Sequence, residues 1–151
     1  MSKHYFEFMH KLFENGHAVP IKKCKSPDEV ETIRQNVSIW YLPHFGVYHP
    51  NKIRVVFDSS AECEEVSLNK ALLSGPDMAN NLLGILIRFR RYHFAIACDI
   101  EQMFHSFYVN EEHRDLLRFL WFEDNDPTKP LIDYHMTVHL FGNKSSPAVA
   151  M

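Results

Sequence analysis

Apolar residues recur at helical spacing near the start of the chain. An i, i+3, i+4 pattern of this kind is typical of an amphipathic helix. Asn15-Gly16 follows as a stop signal. The pattern therefore predicts a first helix that ends before Asn15, with an apolar face made of Tyr5, Phe6, Phe8, Met9, Leu12 and Phe13.

Strand patterns occupy the middle and the end of the chain. Asn51–Asp58 is β-branched and bounded by polar residues, which predicts a strand paired with Phe45–Tyr48. Phe94–Cys98, FAIAC, is a short uninterrupted apolar run and predicts a buried strand that ends at Asp99. The segments LRFLWF and YHMTVHL flank the turn residues Asp124–Pro130 and predict a hairpin.

Helical patterns and loops separate these strands. The sequence SGPD at Ser74–Asp77 predicts a turn that opens a helix, and EEHRDLLRFL predicts a helix that runs into a strand. GNKSSP predicts a loop before a short helix from about Ala148, and CKSPDEVETIRQ a solvated turn or short helix. One face of the helix after Ser74–Asp77 carries Met78, Leu82, Leu83, Leu86 and Ile87. Its last turn carries Arg88, Arg90 and Arg91, where positive charge suits the helix dipole.

The composition permits a folded domain and gives no global charge signal for a nucleic-acid partner. A chain of 151 residues, 46% of them apolar, fits one domain with a real core. The 16 Lys and Arg are outnumbered by 19 Asp and Glu, which gives a formal charge of −3. This balance lacks the basic excess that many nucleic-acid-binding domains show.

Cysteine usage and the absence of long apolar stretches indicate an intracellular protein, cytoplasmic or nuclear. Cys24, Cys63 and Cys98 are odd in number and contain no Cys-x-x-Cys pair, which disfavours a disulfide framework. The first twenty residues are too charged for a signal peptide, and no stretch approaches eighteen uncharged apolar residues. We therefore expect no membrane segment. Cys98 lies inside an apolar run and is expected to be inert, buried packing.

Asp99 is the strongest candidate for a catalytic or metal-binding residue. A carboxylate at the end of a buried strand lies where functional groups of α/β sheets gather, although Asp99 could equally cap the following turn. Glu101 is expected to be a solvent-facing charge. His135 and His139 are four residues apart, a spacing that on a helix can bind a metal, but their segment is β-rich and favours structural or surface histidines.

Two cationic segments could bind phosphate. The loop GNKSSP offers backbone amides, a lysine and two hydroxyls at a helix start, a combination that suits an anion. An ordinary polar loop with a serine N-cap before Pro147 explains the same pattern. Lys52 and Arg54 are two apart on a predicted strand and so share a face, which either grips phosphates or is simply solvated.

Five segments, taken in order, form a recognisable set: WYLPHFGVYHPNKIRVVFDSS, SLNKALLSGPDMANNLLGILIRFR, ACDIEQMFHSFYV, RDLLRFLWF and MTVHLFGNKSSPAVA. Together they resemble the reverse transcriptase of BEL/Pao-type LTR retrotransposon polyproteins. The segment KHYFEFMHKLFENGHAVPI also resembles the lead-in to that domain, so the resemblance covers nearly the whole chain.

This resemblance implies a partial right-hand polymerase of the α+β class, with an antiparallel sheet and packed helices. Residues 1–151 would be the N-terminal part of a reverse transcriptase domain. About 1–90 would be fingers-like, and about 91–151 would form an incomplete palm.

The resemblance also implies roles for residues near Asp99. Asp99 matches the catalytic aspartate that binds both Mg²⁺ ions, and Ile100 would offer a backbone carbonyl to one of them. Two-metal phosphoryl transfer needs carboxylates that hold the ions on either side of the reacting phosphate. Phe104 matches the bulky residue that lies under the incoming sugar and excludes a 2′-hydroxyl, the group that distinguishes RNA from DNA.

Further matches concern the nucleotide and the template. Arg54, and with it Lys52, matches the fingers cation that holds the triphosphate. The implied partners are an RNA or DNA template-primer and a deoxynucleoside triphosphate. The loop that lines the nucleotide pocket and touches the template would comprise Gly142, Lys144, Ser146 and Pro147.

Two departures from the family pattern bear on activity. Phe141 stands before Gly142, where many retroviral relatives have glutamine, although phenylalanine or a similar residue is normal in the BEL/Pao branch. The sequence contains no Asp-Asp pair, so the Tyr-x-Asp-Asp motif is missing. We therefore expect a fragment of an RNA-directed DNA polymerase that is inactive without the rest of the polyprotein. The alternatives are a non-catalytic nucleic-acid-binding remnant, host-adopted or not, and a translated fragment with no activity.

Overall fold

The computed structural model describes residues 3–21, 38–49, 52–78 and 80–150, which contain both helices and strands. The predicted turn or helix in CKSPDEVETIRQ lies outside these residues. Short 3₁₀ helices cover Met103–Ser106, Glu111–Leu117 and Glu123–Asn125. The described elements, in chain order, are α1 (Lys3–Glu14), β1 (Ala18–Pro20), β2 (His44–His49), β3 (Lys52–Phe57), α2 (Leu68–Ala71), α3 (Leu82–Phe89), β4 (Arg118–Phe122), β5 (Leu131–Met136) and α4 (Ser146–Val149).

The strands form two antiparallel sheets. One has the order β1-β5-β4, with Val19 opposite His135 and Phe119 opposite Tyr134. The other is the hairpin β2-β3, with Gly46 opposite Val55. The predicted α+β class with antiparallel sheets and helices is confirmed.

Helix α1 confirms the first helical pattern. Tyr5, Met9 and Leu12 are its buried residues, at the spacing of one helix face. The helix ends at Glu14, where the amides of Gly16 and His17 donate to the carbonyls of Phe13 and Leu12 at 3.0 Å each. These bonds satisfy carbonyls that a helix end otherwise leaves unpaired.

Both predicted hairpins are confirmed. Strand β3 buries Val55 and Phe57 and exposes Arg54, which lies opposite Val47 of β2. Strands β4 and β5 form the second hairpin. The helix predicted before β4 is a 3₁₀ helix, Glu111–Leu117, and the last helix begins at Ser146 rather than at about Ala148.

The core is centred on aromatic residues of β4. Trp121 and Phe119 are 1% and 0% exposed, and Tyr5 stacks on Trp121 with ring centroids 5.3 Å apart. His44 is inserted among these rings. Its Nδ1 accepts from the Tyr5 hydroxyl at 2.5 Å, and its Nε2 donates to the Leu120 carbonyl at 3.0 Å. Burial lowers the pKa of His44 and raises that of Tyr5 to about 12, so both are neutral near pH 7.

The predicted buried strand at Phe94–Cys98 is wrong. Residues 94–98 have no regular structure, and Phe94 and Ile96 are each 90% exposed. No described strand pairs with this segment, and an unpaired backbone keeps its polar groups in water. Cys98 is exposed as well, so its predicted role as buried packing is also wrong.

Helix α3 forms, but its apolar face is not covered by the described residues. It begins at Leu82 rather than near Met78, because Asn81 caps it by accepting from the Leu83 and Gly84 amides at 2.9 and 3.3 Å. None of its residues is buried. None of the helices in the described ranges combines the length and apolar character that a membrane span requires.

Replacing Phe119 with alanine is expected to destabilise the protein by about 3–5 kcal/mol, because it removes a fully buried ring and leaves a cavity. Urea denaturation followed by tryptophan fluorescence measures the loss. Leu120 on the same strand is 47% exposed, so Leu120→Ala is the matched control and should cost less than about 1 kcal/mol. Equal losses in the two variants would contradict the assignment of the core.

Candidate functional site

A short loop after β5 carries three of the seven residues predicted to contact nucleotide or template, Gly142, Lys144 and Ser146. We call residues Gly142–Ser146 the glycine loop. Gly142 has a φ of +99°, a conformation that favours glycine. A Cβ at this position would meet no atom within 4 Å, so the requirement for glycine is conformational rather than steric. Asn143 is buried and Lys144 is exposed.

Polar side chains that follow β3 hold the glycine loop. The Ser59 hydroxyl donates to Asn143 Oδ1, and both residues are buried. Asn69 Nδ2 donates to the Gly142 carbonyl at 2.9 Å, and the Lys144 amide donates to Asn69 Oδ1 at 2.9 Å. The backbone of the loop is therefore fixed by a distant part of the chain.

The far end of the loop leads into α4. The Ser146 amide donates to the Asn143 carbonyl at 3.1 Å, and the fully buried Ser146 hydroxyl lies 3.4 Å from His139 Nδ1. Ser145 occupies the N-cap position of α4, but its side chain makes no capping bond. Pro147 lies in the first turn, where its missing amide costs no hydrogen bond.

Phe104 lies against the residue directly before the glycine loop. It belongs to the 3₁₀ helix Met103–Ser106, which follows Gln102 in the left-handed conformation at φ +52°. Its ring centroid is 5.8 Å from that of Phe141, with a tilt of 57°, a distance at which aromatic pairs attract. The two predicted site segments therefore meet through these rings.

Asp99 and Ile100 lie in an exposed irregular segment just before this 3₁₀ helix. No hydrogen bond or ion pair joins Asp99 to another described residue, and the N-cap position of the 3₁₀ helix is Gln102. The alternative in which Asp99 caps the following turn is therefore wrong for the described residues. Glu101 is exposed, as predicted.

Potential metal ligands do not cluster within the described residues. Within them, no group of three or more His, Cys, Asp or Glu residues is placed to hold a metal ion. Mg²⁺ is bound through one or two carboxylates together with substrate phosphates and waters. His135 and His139 have separate neighbours, since His135 Nδ1 lies 3.7 Å from Asp115 Oδ1 and His139 lies beside Ser146.

The two cations predicted to hold a triphosphate, Lys52 and Arg54, lie on the β2-β3 hairpin. Arg54 is exposed, and within the described ranges no hydrogen bond or ion pair joins it to the glycine loop. The hairpin and the glycine loop are connected indirectly: Ser59 follows β3, and its hydroxyl donates to Asn143 of the loop. Lys52 is the first residue of β3, and its side chain lies outside the described part of the structure.

A cavity of about 260 Å³ separates the glycine loop from the segment Ser74–Met78. Lys144, Pro147 and Ala148 line the other side. Gly75 has a φ of +71°, and a Cβ there would lie 2.5 Å from that of Ala148, so both conformation and close approach require glycine. The sequence pattern of Ser74–Asp77 predicted only a turn that opens a helix.

Three further residues of this site, Ser59, Asn69 and Asn143, were not predicted. All three lie within segments that resemble the polymerase family, but nothing in their spacing indicates that they meet. No protein-family model matches the chain, and no curated protein matches it.

Two histidines pack together beside Phe104. The rings of His17 and His105 lie 4.9 Å apart between centroids. Burial, and then the neighbouring His17, lower the pKa of His105 to about 4, and burial lowers the pKa of His17. Both rings are therefore neutral at pH 7, and protonating either one works against the packing.

The free energy of unfolding is expected to fall as the pH drops from about 6.5 to about 4. Over this range an unfolded histidine, with its pKa near 6.5, binds a proton that folded His105 does not, so protons favour the unfolded chain. His105→Gln should flatten this dependence in urea titrations at several pH values. Leu120→Ala, which changes a 47% exposed side chain without a titratable group, is the control and should keep the wild-type slope. An unchanged slope in His105→Gln would contradict this account.

Proposed function

We propose that this chain forms the fingers and the first part of the palm of an RNA-directed DNA polymerase of the BEL/Pao reverse transcriptase type. The proposed reaction adds deoxynucleotides to a primer 3′-end on an RNA or DNA template. The single observation that carries the proposal is the ring contact between Phe104 and Phe141. Through it, the segment that resembles the metal-binding motif lies against the loop that resembles the template-contacting motif.

The surroundings of this contact suit a nucleotide. An aromatic ring beside the sugar position can exclude a 2′-hydroxyl by shape. The glycine loop contributes the exposed Lys144. Its backbone at Gly142 is exposed as well, because glycine has no side chain to cover it. Arg54 is a second exposed cation. It lies on β3, and Ser59, which follows β3, binds Asn143 of the loop.

The proposed two-metal site needs the carboxylates of an Asp-Asp pair in addition to Asp99. In the proposed enzyme, two Mg²⁺ ions would stabilise the attacking and leaving oxygens of the phosphoryl transfer. Asp99 would contribute one carboxylate and Ile100 a backbone carbonyl. The sequence contains no Asp-Asp pair to supply the others. We therefore propose that this chain binds template-primer but does not extend it.

A second candidate is a nucleic-acid-binding protein without catalysis. The observation that favours it is an exposed cluster of arginines at the end of α3, formed by Arg88, Arg90 and Arg91. Such a cluster binds phosphates without any need for a nucleotide pocket.

Binding of a fluorescent template-primer, measured by anisotropy at increasing salt, separates the two candidates. Lys144→Ala and Arg54→Ala should each weaken binding several-fold and reduce the salt slope by about one, since each removes a phosphate contact. Lys11→Ala removes an exposed charge from α1 and should leave the affinity within about twofold of wild type.

Two outcomes of this experiment count against the polymerase proposal. If only the Arg88, Arg90 and Arg91 variants weaken binding, the second candidate is favoured. If the wild-type chain does not bind at low salt, both candidates are wrong.

Primer extension by the purified chain with template, deoxynucleotides and Mg²⁺ is expected to give no product, because the chain carries only the first of the metal-binding aspartates. A gel assay with labelled primer measures this, with a complete reverse transcriptase as the positive control. Incorporation that Asp99→Asn abolishes would show that the chain assembles a working metal site without an Asp-Asp pair, contrary to this proposal.

A further inference from the structure

We propose that Asn69 is a positioning residue that holds the glycine loop in the shape that binds nucleic acid. This inference rests on the proposed function and assigns to it a residue outside the predicted site. Asn69 lies in α2, between the end of β3 and the segment Ser74–Met78.

The nitrogen and the oxygen of the Asn69 side-chain amide both form hydrogen bonds. Its Nδ2 donates to the Gly142 carbonyl at 2.9 Å and to the Ser60 hydroxyl at 2.8 Å. Its Oδ1 accepts from the Lys144 amide at 2.9 Å. An asparagine amide has two N–H donors and one acceptor oxygen, so a single side chain binds a carbonyl and an amide of the loop together. Neither aspartate, which cannot donate when ionised, nor an apolar residue can do both.

The two loop groups that Asn69 binds lie on either side of Asn143. The Gly142 carbonyl and the Lys144 amide belong to successive peptide units, so their hydrogen bonds fix the backbone through Asn143. The buried bond from Ser59 holds the Asn143 side chain itself. Together these contacts determine the direction in which the Lys144 side chain leaves the loop.

Gly142 makes this external support necessary. Glycine reaches φ +99° without steric cost, but for the same reason it has many other conformations available. No side chain at residue 142 packs against the protein to select one of them. Hydrogen bonds therefore select the conformation of Gly142, and Asn69 donates the bond to the Gly142 carbonyl.

Asn69 is itself held firmly. Its backbone amide donates to the Ser59 carbonyl at 2.9 Å. The preceding Leu68 is 3% exposed, and Ser67 caps α2 by accepting from the Lys70 amide at 3.3 Å. The amide of Asn69 is thus placed by the core and by the end of β3, so it can act as a fixed point for the loop.

The test compares Asn69→Ala and Asn69→Asp with wild type by NMR and by template-primer binding. Asn69→Ala should speed hydrogen exchange of the Lys144 amide about tenfold and weaken binding by a similar factor, as expected for the loss of a hydrogen bond. Asn69→Asp keeps the acceptor, so Lys144 should stay protected, whereas the Gly142 carbonyl carbon should shift as in Asn69→Ala.

The matched control is Asn110→Ala. Asn110 caps another short helix by accepting from the Glu112 amide at 3.2 Å, so its loss lowers stability without touching the loop bonds. Asn110→Ala should leave Lys144 exchange and binding unchanged. The Asn69 variants should differ from it in these readouts while melting at similar temperatures.

Three results are decisive. Unchanged Lys144 exchange in Asn69→Ala would overturn the inference, and so would faster exchange with wild-type affinity. If wild-type protein binds no template-primer at low salt, the proposed function fails, while the Lys144 and Gly142 signals still report separately whether Asn69 holds the loop.

Discussion

The packing of the β2-β3 hairpin and α1 onto β4 determines where the glycine loop can form. Phe57, the last residue of β3, meets Phe119 edge-on with centroids 5.0 Å apart, and Tyr5 of α1 stacks on Trp121. Two residues after Phe57 comes Ser59, which binds the loop. On the other side, β5 continues through the buried Val138 and Leu140 to Gly142. One core therefore positions both the loop and the side chains that hold it.

The proposed binding of a polyanion does not require a net positive charge, and the formal charge of this chain is −3. Arg54 and Lys144 are both exposed and belong to segments joined through Ser59 and Asn69. Phosphate binding depends on local cations within a Debye length of about 8–10 Å rather than on net charge. A small basic site can therefore operate on an acidic protein.

Local elements were predictable because their patterns have a short period. Helix α1 and the two hairpins follow from apolar spacing and turn residues, which act between neighbours in the chain. The prediction of a buried strand at Phe94–Cys98 was wrong, because an apolar run indicates only that burial is favourable. It does not show whether a neighbouring strand is present to pair with the run. Helix α3 shows the same limit: the helix forms, but Met78 of the predicted face lies outside it and none of its residues is buried.

The site was predictable only in part. The resemblance of separate motifs indicated Phe104 and the glycine loop, and the structure brings them together. The bonds that shape the loop join residues 73 to 84 positions apart, Asn69 to Gly142 and Ser59 to Asn143. Single polar residues carry no periodic signal, so their partners are visible only once the core has set the strands in place.

We propose that Phe104 and the glycine loop form one surface for a template-primer. An NMR titration of the isotope-labelled chain with a short template-primer tests this residue by residue. We expect saturable shifts at the amides of Phe104, Gly142 and Lys144, all with one dissociation constant. Shifts confined to Arg88, Arg90 and Arg91 at the end of α3, or no shifts at all at low salt, would contradict this proposal.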